Sequence, residues 1–217
     1  MNEILDKLKK AILEYDAKGA GNIAAEAIKE GVDAVQVADA AVEAIRQIGD
    51  GYGKGELWLP DLIGGANAMK SAMSFIEDAL KKKGRKRQTL GRIVIGTVYG
   101  DIHDIGKTMV SSLAEAEGFE VIDLGVSIEA KTFLEAFREH EPNIVALSAL
   151  MTTTASEQRK VIEMFKEQGI REKVMVAVGG GAVTEEFARS IGADGYAPTA
   201  PLAVNLFKKL MGKGGKK

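Results

Sequence analysis

Hydrophobic period changes once along the chain, at the basic run Lys81-Lys82-Lys83-Gly84-Arg85-Lys86-Arg87. Before it, apolar residues return at helical spacing. Ile4, Leu5, Leu8, Ile12 and Leu13 share one face, Ile23, Ala24, Ala27 and Ile28 a second, and Val35, Val37, Ala38, Ala41, Val42, Ala44, Ile45 and Ile48 a third. A fourth run follows Pro60 through Leu62, Ile63, Ala66, Met69, Ala72, Met73, Ile76 and Leu80. Glycines at 19, 21, 31 and 49 to 55 mark the breaks, which predicts four short-linked helices that must bury their faces against one another or a neighbour. The basic run reads as a solvated linker, because a single charge run between two patterned regions stays wet. The domain boundary falls there: residues 1–88 form a helical domain with its linker, and residues 89–217 form a second domain.

After Thr89, short β-branched runs at 92–98, 119–124, 143–148, 173–178 and 193–196 alternate with helical segments at 105–117, 128–138, 155–168, 184–190 and 201–211. Repeated β/α units predict a doubly wound, five-stranded parallel sheet of the flavodoxin or Rossmann-like kind, covered on both faces. A ligand should sit above the carboxyl ends of its strands, where the strand order switches.

Composition narrows the chemistry. The chain is 217 residues long, too short for a complete (β/α)₈ barrel of about 250 residues. With no cysteine there is no disulfide, thiolate zinc site, iron–sulfur cluster or cysteine nucleophile. Lys and Arg number 29 against 31 Asp and Glu, split evenly between the two domains, which argues against a nucleic-acid partner. No apolar stretch reaches the roughly 18 residues that span a bilayer, and the charged N-terminus does not read as a signal peptide. A cytoplasmic address is expected.

Polar and glycine residues collect at the predicted strand ends: Tyr99-Gly100-Asp101-Ile102-His103-Asp104-Ile105-Gly106-Lys107, then Ser148-Ala149-Leu150-Met151-Thr152-Thr153-Thr154, then Gly179-Gly180-Gly181. An Asp and a His flanking one residue can point into the same crevice. The carboxylate then accepts the imidazole Nδ1–H and leaves Nε2 free as a more basic lone-pair donor. Gly106 lets a bulky ligand approach the backbone. Taken alone, Asp-x-His-x-x-Gly also describes a capping aspartate beside a solvent-facing histidine, and the three glycines also describe an ordinary strand-to-helix turn. His140, between Glu139 and Glu141, reads as a surface residue.

The longer spacing adds to this. With 41 residues between Gly106 and Ser148 and 28 between Leu150 and Gly179, the Asp-x-His-x-x-Gly, Ser-x-Leu, Gly-Gly series resembles the signature of the cobalamin-binding domain family. The helical half, with Leu57-Trp58-Leu59-Pro60 leading into a helix bearing Asn67, Met69 and Met73, is similar to the four-helix cap of methionine synthase and of the small corrinoid proteins of methylamine, methanol and aryl methyl ether metabolism. The triplet Thr152-Thr153-Thr154 looks like the methylamine-type members.

The resemblance implies a cobalamin or related corrinoid bound base-off and His-on. His103 matches the lower ligand to cobalt, Asp101 its hydrogen-bonding partner and Ser148 the next group of a proton-sharing relay. Gly100, Asp104, Ile105 and Gly106 would surround the cofactor. Leu150 and Thr152 would line the channel for its nucleotide tail, Gly179 and Gly180 would make room for it, and Tyr196 and Ala197 would border it. Trp58, Met69 and Met73 would cover the upper face of the corrin, although plain bundle core fits them equally.

The implied function is a methyl carrier. It would accept a methyl group at Co(I) from a donor on a substrate-specific methyltransferase, and pass it to a second methyltransferase whose acceptor is tetrahydrofolate or coenzyme M. A reductive activator would be a third partner, and the linker near Gly84 a hinge. The donor stays open among a methylamine, methanol, an aryl methyl ether and a betaine. Rival readings are a cobalamin-dependent sensor, the cobalamin subunit of a radical mutase, and a flavodoxin-like module for a nucleotide or flavin with the histidine incidental.

Overall fold

The structure, a computed structural model, describes residues 2–82 and 89–212. They divide into two compact units: one holds the chain up to Thr89 together with Glu115–Gly118, and the other holds Leu90–Ala114 and the chain from Phe119 on. The basic linker with Gly84 lies outside the described residues, save that Lys81 and Lys82 still belong to the preceding helix.

The first unit consists of α1 (Asn2–Leu13), α2 (Ala17–Lys29), α3 (Ala34–Gly53) and α4 (Leu59–Lys82). α4 packs against α2 and α3, and α1 against α2 and α3. The helix count follows the apolar stripes, and the breaks follow the glycines only in part: Gly31 and Gly55 lie between helices with φ 85° and 75°. Gly19 and Gly21 lie inside α2, whose entry is set by Asp16, which accepts the Gly19 N–H at 2.8 Å, after Tyr15 turns the chain at φ 62°. Gly49, Gly51 and Gly53 lie inside α3. Close helix contact is what glycine supplies here: a Cβ at Gly21 would stand 2.6 Å from Ser71 Oγ of α4.

The second unit holds β1 (Arg92–Thr97), α5 (Ile105–Ala116), β2 (Glu120–Asp123), α6 (Ala130–His140), β3 (Ile144–Ser148), α7 (Thr152–Glu167), β4 (Met175–Gly179), α8 (Glu185–Ile191), β5 (Gly195–Ala197) and α9 (Ala200–Gly212). All pairings are parallel, in the order β2-β1-β3-β4-β5. The order reverses between β1 and β3, so the loops that leave these two strands diverge and open a crevice.

The two sheet faces differ in side-chain size. Val94, Val145, Leu147, Val176 and Val178 point to one face and pack with Phe133, Val161, Ile162 and Phe165 in a dense core. On the other face, strand alternation brings Ser148, Gly179 and Ala197 into one register row and Ala146, Ala177 and Gly195 into the next. Below them Ile93, Ile144 and Met175 close the row. Small residues above bulky ones leave a hollow on that face at the carboxyl edge. Among the described residues no helix is long and apolar enough to cross a membrane.

Candidate cofactor-binding site

The hollow is a cavity of about 480 Å³, within the range of small-molecule sites. The β1–α5 loop forms its mouth on one side, Leu150 and the 179–181 glycines form the other, and α5 and α9 stand opposite the sheet. Backbone approach at the mouth is close: Gly180 has φ +121°, and a Cβ there would overlap the Ala149 carbonyl. At Gly179 a Cβ would come within 3.0 Å of the Ala197 carbonyl. Only glycine admits this path of the chain.

His103 lies at the mouth with its side chain 47% exposed. Its loop is tied down on several sides. The Thr97 hydroxyl donates to the His103 carbonyl at 3.0 Å, the Asp101 N–H to the Val98 carbonyl at 3.1 Å, and the Gly100 N–H to Ser127 Oγ at 3.1 Å. Asp101 is completely buried. Its Oδ1 accepts the His103 backbone N–H at 3.1 Å and lies 2.8 Å from His103 Nδ1. Its Oδ2 accepts the Leu150 N–H at 2.8 Å, the Met151 N–H at 3.3 Å and the Thr154 hydroxyl at 2.6 Å.

Burial alone would raise the Asp101 carboxyl. The Thr154 hydroxyl, the backbone N–H and ring of His103 and the Leu150 N–H outweigh it and hold the group well below the ordinary carboxylate range. Because the donors on Oδ2 stand at the start of α7, the carboxylate also faces the positive end of that helix. An ionised Asp101 can only accept, so the proton of the imidazole sits on Nδ1, and Nε2 carries the lone pair.

The donor set tests what the site can hold. Among the described residues no group of three or more His, Cys, Asp and Glu gathers to take a bare metal ion. A single oriented imidazole at the mouth of a deep cavity suits a metal that brings its other ligands with it, and the glycine-walled cleft below suits a narrow appendage of the same ligand. These residues fit a corrinoid.

The remaining expected residues fall into three groups. Asp104, Ile105, Gly106, Ser148, Leu150, Gly179, Gly180 and Ala197 line the cavity. Gly100, Thr152 and Tyr196 do not. Gly100 makes the turn at φ +77°, Thr152 is an exposed first residue of α7, and Tyr196 packs with the opposite sheet face because it alternates with Ala197. In the helical unit Met69 and Met73 are 4% and 6% exposed, whereas Trp58 is 75% exposed at the entry of α4.

Ser148 requires a correction. The hydroxyl that reaches Asp101 belongs to Thr154, and among the described residues Ser148 makes no bond to Asp101 or His103. The reason is geometric: Ser148 ends β3 on the cavity face, while Thr154 returns beneath the loop in the first turn of α7. Sequence reasoning also missed Lys107, 4% exposed, which forms an ion pair with Asp123 at the end of β2. Its position one residue after the Asp-x-His-x-x-Gly glycine was the available signal.

Residues 91–205 match the family model described as "B12 binding domain", and residues 4–77 match a second model with the same description. The chain is 41% identical over 203 residues to the trimethylamine corrinoid protein 2 of Methanosarcina mazei, covering 93% of each. It is 41% identical over 212 residues to a corrinoid protein of Desulfitobacterium hafniense, covering 97% of this chain and 98% of that one. Among solved structures it resembles a chain of the methanol:cobalamin methyltransferase complex MtaBC of Methanosarcina barkeri, with TM-score 0.85 and 30% identity over 99% of this chain and 81% of that one. It also resembles the monomethylamine corrinoid protein of the same organism, with TM-score 0.55 and 29% identity over 96% and 99%.

Proposed function

The chain belongs to the family of B12-binding corrinoid proteins, and on that premise we propose that it is a methyl carrier working between two methyltransferases. When bound, the corrinoid would supply a cobalt centre able to accept a methyl group from one partner and release it to another. One observation carries this reading: an imidazole fixed through Nδ1 by a buried, ionised aspartate stands at the mouth of a cavity deep enough for a nucleotide tail.

The chain's own residues have distinct tasks. His103 would offer Nε2 to the metal. Asp101 holds the ring in one tautomer and orientation and makes that nitrogen a better donor. Thr154 replaces Ser148 as the third group, since its hydroxyl donates to Asp101 Oδ2 at 2.6 Å. Gly179 and Gly180 keep the tail cleft open, and Ser148 and Leu150 line it. Trp58, Met69 and Met73 of the helical unit remain the candidates for covering the upper corrin face.

Relatives named for trimethylamine and dimethylamine favour a methylamine as methyl source. A likeness to a chain of a methanol:cobalamin methyltransferase complex supports a methyltransferase as direct partner. We assign the second partner as a methyltransferase to coenzyme M or tetrahydrofolate, with a reductive activator as a third, all in the cytoplasm.

Aquocobalamin titrated into the purified protein and followed by absorption tests the reading. It should be retained through gel filtration with a spectrum shifted from that of the free cofactor. His103→Ala should still retain it, through the tail cleft, but with a different Co(III) spectrum. If wild type retains no corrinoid, the reading fails. An identical spectrum for His103→Ala would remove His103 as the ligand.

A further inference from the structure

The cavity's polar groups lie at its mouth and its floor is apolar. His103, Asp104, Ser148 and Thr199 stand near the opening, and the Lys107 ammonium is already paired with Asp123. The floor is formed by Ile95, Ala146 and Ala177 from the sheet and by Val110, Leu206 and Phe207 from α5 and α9. None of these six side chains donates or accepts a hydrogen bond. The strand backbone at the floor adds no free group, because Ile95, Ala146, Ala177 and Gly195 lie in register across the ladders of β1, β3, β4 and β5. Phe207 is 2% exposed and held edge-to-face against Phe119, with ring centroids 6.2 Å apart. Ser111, whose buried hydroxyl has no partner among the described residues, is not a lining residue.

From this floor we infer that the site selects among corrinoids by the base of the nucleotide tail, taking a benzimidazole-class base and rejecting a purine. The inference rests on the corrinoid reading above and deepens it. A benzimidazole presents fused apolar rings and few polar edges. A purine adds ring nitrogens and, in adenine, an exocyclic amine, all of which hydrogen-bond to water outside and would find no partner on the floor. An apolar site penalises such groups by about tenfold or more.

Three cobamides separate the possibilities, titrated by absorption against the full chain: cobalamin with its dimethylbenzimidazole, the adenine-based cobamide, and tail-less cobinamide. Cobalamin should bind at least about tenfold more tightly than the adenine form, and cobinamide more weakly than cobalamin. Ala146→Ser, which puts a hydroxyl on the floor, should narrow the ratio between the first two. Ala177→Ser, on the neighbouring strand, serves the same purpose if the first variant does not fold. Equal binding of cobalamin and the adenine form, or tighter binding of the latter, overturns the inference and leaves the corrinoid reading standing. Binding of none of the three overturns both.

Discussion

Asp101 stays ionised although it is completely buried, because two backbone N–H groups, a hydroxyl and the His103 loop converge on it. An unfolded aspartate titrates near ~3.9. Since the folded value is lower, the group's contribution to stability is complete above about pH 4 and is lost as pH falls through the folded value. Thr154→Val keeps the shape but removes the 2.6 Å donor. It should lower stability by about 1.5 to 3 kcal/mol at pH 7 and move acid unfolding, followed by circular dichroism, to higher pH. Ser148→Ala should leave the acid midpoint where it is; an equal shift in both variants would contradict the assignment of Thr154. The Asp101–His103 pair was legible in the sequence because two residues on one turn need no tertiary knowledge to be brought together. Thr154 was not, because the hydroxyl that meets Asp101 depends on how the chain bends between β3 and α7.

At the level of elements, the strands followed from β-branched runs and the helices from apolar stripes. Glycine was the ambiguous letter. Breaks were expected at Gly19, Gly21 and Gly49, whereas α2 and α3 run through them, since glycine marks a turn and a close helix contact alike. The cavity itself was written in the strands Ile-Val-Ala-Leu-Ser and Met-Val-Ala-Val-Gly, where every second residue goes from bulky to small towards the carboxyl end, but that pattern gains meaning only once the shared face is known. The Lys107–Asp123 pair ties the start of α5, directly after the His103 loop, to the end of β2. Asp123→Ala would strand a buried ammonium and should cost about 3 kcal/mol, part of which Lys107→Met in the same chain should restore. Thermal unfolding of the single and double variants measures this, and a double variant no more stable than Asp123→Ala would refute the pairing. Gly180→Ala meets both a left-handed φ and the Ala149 backbone, so it should abolish corrinoid retention in gel filtration.

For the whole molecule, residues 4–77 and 91–205 each match a model of a B12-binding domain. A ligand held only by the folded state raises stability by mass action. At free cobalamin about one hundred times Kd, the gain should be about 2.7 kcal/mol. Scanning calorimetry at two corrinoid concentrations should therefore show a transition that rises with ligand, and a transition indifferent to ligand would deny that the fold is built around it. The central claim is that His103 replaces the tail base beneath the metal. It is tested most directly by paramagnetic resonance of the cob(II)alamin-loaded protein, with natural and with ¹⁵N-labelled histidine. Histidine ligation predicts a nitrogen splitting that changes from triplet to doublet on labelling and disappears in His103→Ala. A triplet unaffected by the label would mean that the cofactor's own base still holds the cobalt, and would contradict the account.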